Sequence, residues 1–272
     1  MRDFVETDGR VLHVDFRAGA RGRRAVVFAN SLGTDLRIWD AVVAALPAET
    51  PVLRLDKRGH GLSDMGPVTI SGLANDTGAA IDRFGISDAL VCGVSVGGMV
   101  AQSLAVARPD LVAGLILSNT GLAIGTPEIW TPRIETVRDA GMEPIADAVL
   151  ERWFSARFME TETETVRGYR NMLIRCPSEG YARTCEAIRD TDLTAQAARI
   201  TQPAICVAGG ADLATPPALV TALCEALPRA EFHLLEDAGH LPCIESPDHI
   251  AALIADMLGR LPPSVSGQGG VR

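Results

Sequence analysis

The sequence has no hydrophobic stretch long enough to cross a membrane. A spanning helix needs about 18 or more consecutive apolar residues, and no such run occurs in the 272 residues. The amino terminus, residues 1–6, also lacks the apolar core of a secretory signal peptide. We therefore expect a cytoplasmic protein that has no membrane partner.

Cysteines at metal-binding spacing are also missing. The six cysteines are scattered along the chain, and no C-x-x-C or other metal-ligand pattern occurs among them. Cys92, Cys206 and Cys224 lie in apolar segments, where cysteine is typically a small core residue. We expect reduced thiols, no bound metal and no other cofactor.

Positive charge is scarce. The chain has 25 Lys and Arg residues against 34 Asp and Glu residues, which gives a net charge of −9. A negative protein repels nucleic acid and anionic membrane surfaces, so neither is expected as a partner. Lys57 is the only lysine, so all other basic residues are arginine, a bias typical of genome composition.

The chain does have the length and the 47% hydrophobic content of one large α/β domain. Residues 4–7 and 11–16 predict a hairpin across Asp8-Gly9. Six further strands are predicted at 24–29, 51–55, 89–92, 115–118, 204–208 and 231–235, and helices at 36–46, 70–84, 98–107, 217–227 and 248–261. This alternation predicts a mostly parallel eight-stranded sheet with helices on both faces.

The alternation of strands and helices stops between residues 127 and 194. This stretch has helical spacing and contains both tyrosines and two of the three tryptophans. We predict a helical insertion, here called the lid segment, which covers the carboxyl end of the sheet where open α/β folds bind ligands. Residues 1–126 and 195–261 would then form the core. Residues 262–272, rich in Pro, Gly and Ser, predict a disordered tail.

Residues 93–97, Gly-Val-Ser-Val-Gly, have the G-x-S-x-G pattern of a nucleophile elbow. A β-like segment precedes them and a helical segment follows, which is the context that this motif requires. The turn strains the serine backbone and raises its hydroxyl above the sheet, and the glycines leave room for the turn. Ser95 is therefore predicted to be a nucleophile.

A serine hydroxyl needs a base to activate it and a carboxylate to orient that base. Among the five histidines, His240 lies in a loop directly after the last predicted strand, and elbow hydrolases have the serine before the histidine in the chain. His13, His233 and His249 fall inside predicted strands or a helix. His60 lies in a tight Arg-Gly-His-Gly turn, which favours a structural role. We predict His240 as the base.

Two aspartates are candidates for the orienting carboxylate. Asp212 follows the strand predicted at 204–208, and a loop at the carboxyl end of a strand faces the expected site. Asp237 lies only three residues before His240 and is better placed to cap a turn. Asp212 is the favoured candidate.

Backbone N–H groups that stabilise an oxyanion should come from two places. One is Val96, directly after the nucleophile, and the other is the loop after the first long parallel strand, residues 30–34. The alternative interpretation of that loop is an ordinary β–α turn, which its Asn and Gly would also suit.

With these residues in this order, the sequence resembles the α/β-hydrolases. The resemblance extends over nearly the whole chain. The sequence is similar in particular to the 3-oxoadipate enol-lactonases, at residues 30–39, 53–63 and 180–190. Many other relatives have His-Gly in place of Asn30-Ser31. The resemblance implies an α/β-hydrolase fold, a triad of Ser95, Asp212 and His240, and oxyanion amides at Leu32 and Val96.

The resemblance also implies a small substrate, a five-membered enol-lactone with an acetate arm. Because the whole protein is negative, a local cation must bind this anion. Arginine grips a carboxylate in a bidentate fork, and the lid segment contains several candidates, of which Arg133 and Arg138 are named as possible substrate ligands. Each could instead form ion pairs on a solvated helix face. Trp130 and Trp153 could form walls of the pocket or only pack within the lid segment.

The expected reaction is hydrolysis of that lactone through an acyl-enzyme, in the catabolism of aromatic compounds. Another serine hydrolase would share the same triad, for example an arylesterase, a different lactonase, a C–C bond hydrolase or a perhydrolase. A ligand sensor built on the hydrolase fold is a third possibility. The sequence leaves the oligomeric state open.

Overall fold

The computed structural model describes residues 2–264, and the predicted tail from residue 265 onward lies outside them. Eight strands form a single sheet in the order β1-β2-β4-β3-β5-β6-β7-β8. The strands are β1 (Arg2–Thr7), β2 (Arg10–Arg17), β3 (Val26–Ala29), β4 (Val52–Leu55), β5 (Ala89–Val94), β6 (Val112–Ser118), β7 (Ala204–Gly209) and β8 (Ala230–Leu235).

The pairing of the strands follows the predicted topology. The amino-terminal hairpin β1–β2 is antiparallel, and β2 also pairs antiparallel with β4. All pairings from β4 through β3, β5, β6 and β7 to β8 are parallel. The predicted fold class, a mostly parallel eight-stranded sheet of the α/β type, is therefore confirmed.

Helices cover both faces of the sheet. They are α1 (Asp40–Ala45), α2 (Ile70–Arg83), α3 (Val96–Ala107), α4 (Pro127–Ala140), α5 (Ala146–Trp153), α6 (Ala156–Thr161), α7 (Thr163–Ile174), α8 (Ser178–Arg189), α9 (Pro217–Ala226), α10 (Pro242–Glu245) and α11 (Pro247–Arg260). Helices α2, α3 and α9 pack on one face, and α1 and α11 pack on the other together with part of the lid segment.

The two apolar layers explain why the parallel strands have continuous hydrophobic sequences. In β5, Ala89 and Val91 belong to one layer, whereas Leu90 and Cys92 belong to the other. Successive side chains of a strand point to opposite faces, so a strand that is covered on both sides needs apolar residues at every position. All six residues of β5 are buried.

Some local predictions differ from the structure. The segment predicted as one helix at 36–46 is a 3₁₀ turn over Leu36–Trp39 followed by the short α1, because Asp35 caps the turn by accepting a hydrogen bond from the Arg37 N–H. Helix α3 begins at Val96, directly after the elbow serine, and not at residue 98.

The first residues of the predicted tail are attached to the core. Arg24 Nη2 donates to the Pro262 carbonyl at 2.9 Å, and Ser264 Oγ donates to Asp88 Oδ1 at 2.8 Å. Within residues 2–264, every helix is too short or too polar to cross a bilayer. In the same range, no group of three or more His, Cys, Asp or Glu side chains is arranged to hold a metal ion.

The loops after six strands meet at the carboxyl edge of the sheet. The loop after β3 contains Leu32, the loop after β5 contains Ser95, the loop after β7 contains Asp212, and the loop after β8 contains His240. The lid segment supplies helices α4 to α8 between β6 and β7. The topology thus brings distant parts of the sequence to one edge.

Candidate active site

Ser95 occupies a strained turn between β5 and α3. Its φ is +58° and its ψ is −122°, a conformation rare for a residue with a side chain. A Cβ at Gly93 would lie 2.3 Å from the Gly97 carbonyl oxygen, and one at Gly97 would lie 2.1 Å from that of Ala29. Both flanking glycines are therefore sterically required. Thr120 Oγ1 donates to the Ser95 carbonyl at 2.7 Å and braces the turn.

His240 and Asp212 form a buried hydrogen-bonded pair. The distance from His240 Nδ1 to Asp212 Oδ2 is 2.9 Å. Thr215 Oγ1 also donates to Asp212 Oδ2, at 2.6 Å, and the N–H groups of Ala214 and Thr215 donate to Oδ1. His240 lines the same cavity as Ser95. The three residues predicted as a triad therefore meet at one place.

Asn119 is a part of this site that sequence reasoning missed. It follows β6, and its Nδ2 donates to Asp212 Oδ2 at 2.8 Å and to the Gly239 carbonyl at 3.2 Å. Burial would raise the pKa of Asp212, but His240, Thr215 and Asn119 hold that pKa below its usual value. The carboxylate therefore stays ionised. The sequence feature that could have identified Asn119 is its position directly after a central strand.

The competing candidates have other roles or positions. His60 Nε2 accepts a hydrogen bond from the Gly33 N–H at 3.0 Å, and its Nδ1 lies 3.3 Å from the Arg58 carbonyl. Burial and the Lys57 charge lower the pKa of His60 well below its usual value, so the ring is neutral. Asp237 is exposed and does not contact His240.

Leu32 and Val96, the residues predicted to supply the oxyanion N–H groups, both lie next to the Ser95 site. Leu32 lines the cavity beside Ser95, and Val96 begins α3 directly after it. Among the described residues, neither N–H donates to a protein acceptor. Two free backbone donors near a strained serine can together bind a developing negative charge. The dipole of α3 adds to this effect at Val96.

The lid arginines differ in where they point. Arg133 and Arg152 line the cavity of Ser95, but Arg138 does not. The Arg138 guanidinium binds Glu179 and Glu186 on the lid surface, with its shortest contact at 2.8 Å. The structure thus gives Arg138 the ion-paired surface role that the sequence left open.

Arg152 was not considered from the sequence. It ends in the cavity near Arg133, and burial together with that neighbouring cation lowers the pKa of Arg152. Within residues 2–264, neither Arg133 nor Arg152 forms a salt bridge. The cavity therefore contains two cations outside any salt bridge of the described residues, although the Asp212 charge acts on the pKa of Arg152 in the opposite direction to burial and Arg133.

Both predicted tryptophans line the cavity. The Trp130 Nε1–H donates to the Ile124 carbonyl at 2.7 Å, and the Arg133 guanidinium lies 5.3 Å from the centre of a Trp130 ring. This contact combines a cation with an aromatic face and orients Arg133. Trp153 packs edge-on against Phe154. Tyr181 of α8 is a further wall that the sequence did not single out.

The lid segment is tied to the loop that carries the histidine. The His240 N–H donates to the Trp153 carbonyl at 2.8 Å. Glu245 accepts from the Gly239 N–H at 2.9 Å and from Ser155 Oγ at 2.6 Å. Burial raises the pKa of Glu245, although these hydrogen bonds act in the opposite direction. The end of α5 and the His240 loop thus form one connected unit.

Comparison with known proteins identifies related chains. Residues 26–253 match the model of the alpha/beta hydrolase family. The chain is 36% identical over 231 residues to 3-oxoadipate enol-lactonase 2 of Acinetobacter baylyi, covering 84% of this chain and 86% of the relative. It is 32% identical over 241 residues to 3-oxoadipate enol-lactonase 1 of the same organism, covering 88% and 90%.

A solved structure gives the same result for the fold. The enol-lactonase from Burkholderia xenovorans superposes with a TM-score of 0.90 at 39% sequence identity, covering 95% of this chain and 100% of that one. The elbow, the parallel sheet and the helical insertion are thus parts of a known architecture. The chain belongs to the alpha/beta hydrolase family and is an ester hydrolase.

Proposed function

We propose that the protein is a serine hydrolase that opens the enol-lactone of 3-oxoadipate. The observation that carries the proposal is the pair of cations, Arg133 and Arg152, in the cavity that also contains Ser95 and His240. The two guanidinium groups form no salt bridge within residues 2–264 and repel each other, and an anionic ligand would relieve that repulsion. The names of the enol-lactonase relatives support the same substrate.

In the proposed reaction, Ser95 Oγ attacks the lactone carbonyl carbon while His240 Nε2 accepts the hydroxyl proton. Asp212, ionised and bound to Nδ1, stabilises the imidazolium that forms. The N–H groups of Leu32 and Val96 bind the oxyanion. The ring C–O bond then breaks, and the leaving oxygen takes the proton from His240 as an enol.

The enol becomes a ketone by tautomerisation, so ring opening is effectively irreversible. Water then attacks the acyl-enzyme, with His240 again accepting the proton, and Ser95 leaves as an alcohol. The balanced reaction consumes one lactone and one water and releases 3-oxoadipate. It would belong to the catabolism of aromatic compounds.

We assign the substrate carboxylate to Arg133 and Arg152. Arg133 is fixed over Trp130, so its planar guanidinium is already ordered for a carboxylate. Arg152 lies on the same cavity wall and is half-buried, where a charge-assisted hydrogen bond is stronger than in water. The apolar remainder of the wall includes Trp153 and Val149, which suits a small ring.

The test compares the enol-lactone with p-nitrophenyl acetate, a neutral ester. Arg133→Met and Arg152→Met should each lower kcat/KM for the lactone about 10- to 100-fold, the size expected for a lost charged hydrogen bond. Rates with the neutral ester should change little. Arg138→Met is the matched control, since it removes a lid arginine outside the cavity.

Three outcomes would contradict the proposal. Equal losses with both substrates would show that the arginines shape the site and do not recognise the anion. A wild-type enzyme that prefers the neutral ester would favour a general esterase, and turnover of neither substrate would favour a ligand sensor.

A further inference from the structure

The oxyanion loop, residues 30–34, is held by buried polar groups. Lys57 Nζ donates to the Ser31 carbonyl at 2.5 Å and to the Thr34 carbonyl at 3.1 Å. Thr34 Oγ1 donates to the same Ser31 carbonyl at 2.8 Å. The Gly33 N–H, between these two residues, donates to His60 Nε2. The turn is therefore fixed at three of its peptide groups, 31–32, 32–33 and 34–35.

These contacts determine where the Leu32 N–H points. The described residues contain no cis peptide bond, so the Ser31 carbonyl and the Leu32 N–H lie on opposite sides of one planar peptide group. Because the carbonyl faces Lys57, the N–H must point away from Lys57. Leu32 lines the cavity of Ser95, whereas Lys57 does not.

Lys57 also acts on this peptide through its charge. A cation that binds a carbonyl oxygen draws electron density from the peptide group and makes the attached N–H a stronger donor. Lys57 is only 7% exposed, and no carboxylate within residues 2–264 forms a salt bridge with it. Its field is therefore weakly screened at the two carbonyls that it binds.

We propose that Lys57 is a positioning residue for the oxyanion hole, which aims and polarises the Ser31–Leu32 peptide so that the Leu32 N–H binds the developing oxyanion. The mechanism above does not otherwise use this side chain, and nothing in the composition distinguishes it except that it is the only lysine. The inference rests on the Ser95 part of the proposed function and not on the identity of the lactone.

The surroundings of Lys57 make its charge dependent on pH. Burial lowers the pKa of Lys57 to about 8, although Cys176 of the lid segment, Asp56 and Asp35 act in the opposite direction. His60 is neutral, and the neighbouring Arg58 is paired with Asp76.

The ammonium is thus present below about pH 8 and is lost as the pH rises through that value. We expect the acylation rate to fall with it.

The experiment compares Lys57→Met with Arg58→Met. Arg58 is the adjacent buried cation, equally exposed at 7%, but it binds Asp76 and the Pro67 carbonyl and does not contact the oxyanion loop. With p-nitrophenyl acetate, Lys57→Met should lower kcat about 10- to 100-fold, approaching the loss of one oxyanion donor. KM should change less than about twofold, since the ground-state carbonyl depends little on that donor.

Two further measurements separate positioning from general damage. A trifluoromethyl ketone forms a hemiketal oxyanion with the active serine, so its inhibition constant should rise in Lys57→Met by the same factor as kcat falls. The decline of kcat above pH 8 should also disappear in Lys57→Met but persist in Arg58→Met. Lys57→Gln, a neutral donor, should recover part of the inhibitor affinity.

The proposal is overturned if Lys57→Met keeps kcat and inhibitor affinity, or if Arg58→Met loses both equally. Should Lys57→Met not fold, Lys57→Gln is measured in its place, and wild-type kcat and inhibitor affinity in Lys57→Gln overturn the proposal. Ester hydrolysis that survives in Ser95→Ala would overturn the proposed function itself, and the role of Lys57 with it.

Discussion

The charged side chains at the carboxyl edge of the sheet differ from those of the lid segment in whether they have partners within the protein. At the sheet edge, the Asp212 carboxylate accepts hydrogen bonds from Thr215, Asn119 and His240. In the lid wall of the same cavity, Arg133 and Arg152 form no salt bridge with any residue that the structure describes. The hydrogen bonds of Asp212 are therefore in place before substrate arrives, whereas under the proposed function the lid wall is completed by an anionic ligand.

This difference separates chemistry from recognition. A carboxylate and imidazole that are already hydrogen-bonded without ligand require little reorganisation during the reaction. Unpaired cations, by contrast, raise the free energy of the empty protein and favour binding of an anion. Substitutions at the sheet edge should therefore affect rate and stability, and those in the lid wall should affect substrate choice.

The largest effect should follow from Ser95→Ala. We expect kcat to fall at least about 10³-fold, because the covalent step is lost while the oxyanion donors and binding groups remain. The melting temperature should stay within about 3 °C of wild type, since the Ser95 hydroxyl makes no hydrogen bond to a described residue and the backbone turn is braced by Thr120. Steady-state kinetics and calorimetry measure both.

A second prediction addresses the contact between the two regions. Glu245→Ala removes the carboxylate that binds Gly239 and Ser155, leaving buried N–H and O–H groups unpaired. We expect about 2–4 kcal/mol lower unfolding free energy and roughly tenfold lower kcat, because the His240 loop and α5 lose their common partner. Urea unfolding and ester kinetics test this.

Glu245→Gln is the matched control for that change. The amide keeps an acceptor for the Gly239 N–H and removes a charge whose burial is unfavourable. It should retain most of the activity and stability. A loss as large as that of Glu245→Ala would show that the charge, and not the link, is required.

The sequence was most informative where function depends on local geometry. The elbow could be predicted because the clash of any side chain at Gly93 or Gly97 is set by the turn itself. Asp212 and His240 could be predicted because each follows a strand, and parallel strands end at one edge. Asn119 follows the same rule, but an amide did not satisfy the search for a carboxylate.

The lid segment was less predictable because its chemistry depends on how its helices pack. Arg133 and Arg138 lie five positions apart in α4, about 140° around the helix axis, so they face different directions. Only the packing of α4 against α8 decides that Arg138 faces Glu179 and Arg133 faces the cavity. The attachment of Pro262 to Arg24 is similarly long-range and has no local signal.

A third prediction concerns Asn119 at the sheet edge. Asn119→Leu removes a buried donor to an ionised carboxylate, so the unfolding free energy should fall by about 1.5–3 kcal/mol at pH 7. Native Asp212 has a lowered pKa, and its stabilising effect is present above its unfolded pKa and lost as the pH falls through the native value.

Without Asn119, the pKa of Asp212 should move upward, so the variant should lose less stability than wild type on acidification from pH 7 to pH 3. Asn119→Asp tests the same position with a like charge and should be worse than Leu. If Asn119→Leu has wild-type stability at every pH, the hydrogen bond contributes nothing to folding. The proposed contrast between the sheet edge and the lid wall would then be wrong for Asn119.

The smallest expected effect is a change in unfolding free energy on substitution of Arg152. Its sign should be opposite to that of the substitutions at the sheet edge. Met keeps the length of the arginine stem but removes the repulsion from Arg133, so Arg152→Met should raise the unfolding free energy of the unliganded protein by about 0.5 kcal/mol. Excess 3-oxoadipate should reverse that order, because a ligand stabilises only the protein that binds it well. Chemical unfolding with and without the dicarboxylate measures both values. A loss of stability as large as that of Asn119→Leu would mean that Arg152 holds the lid together, and the cation pair would then be structural, not a site that awaits an anion.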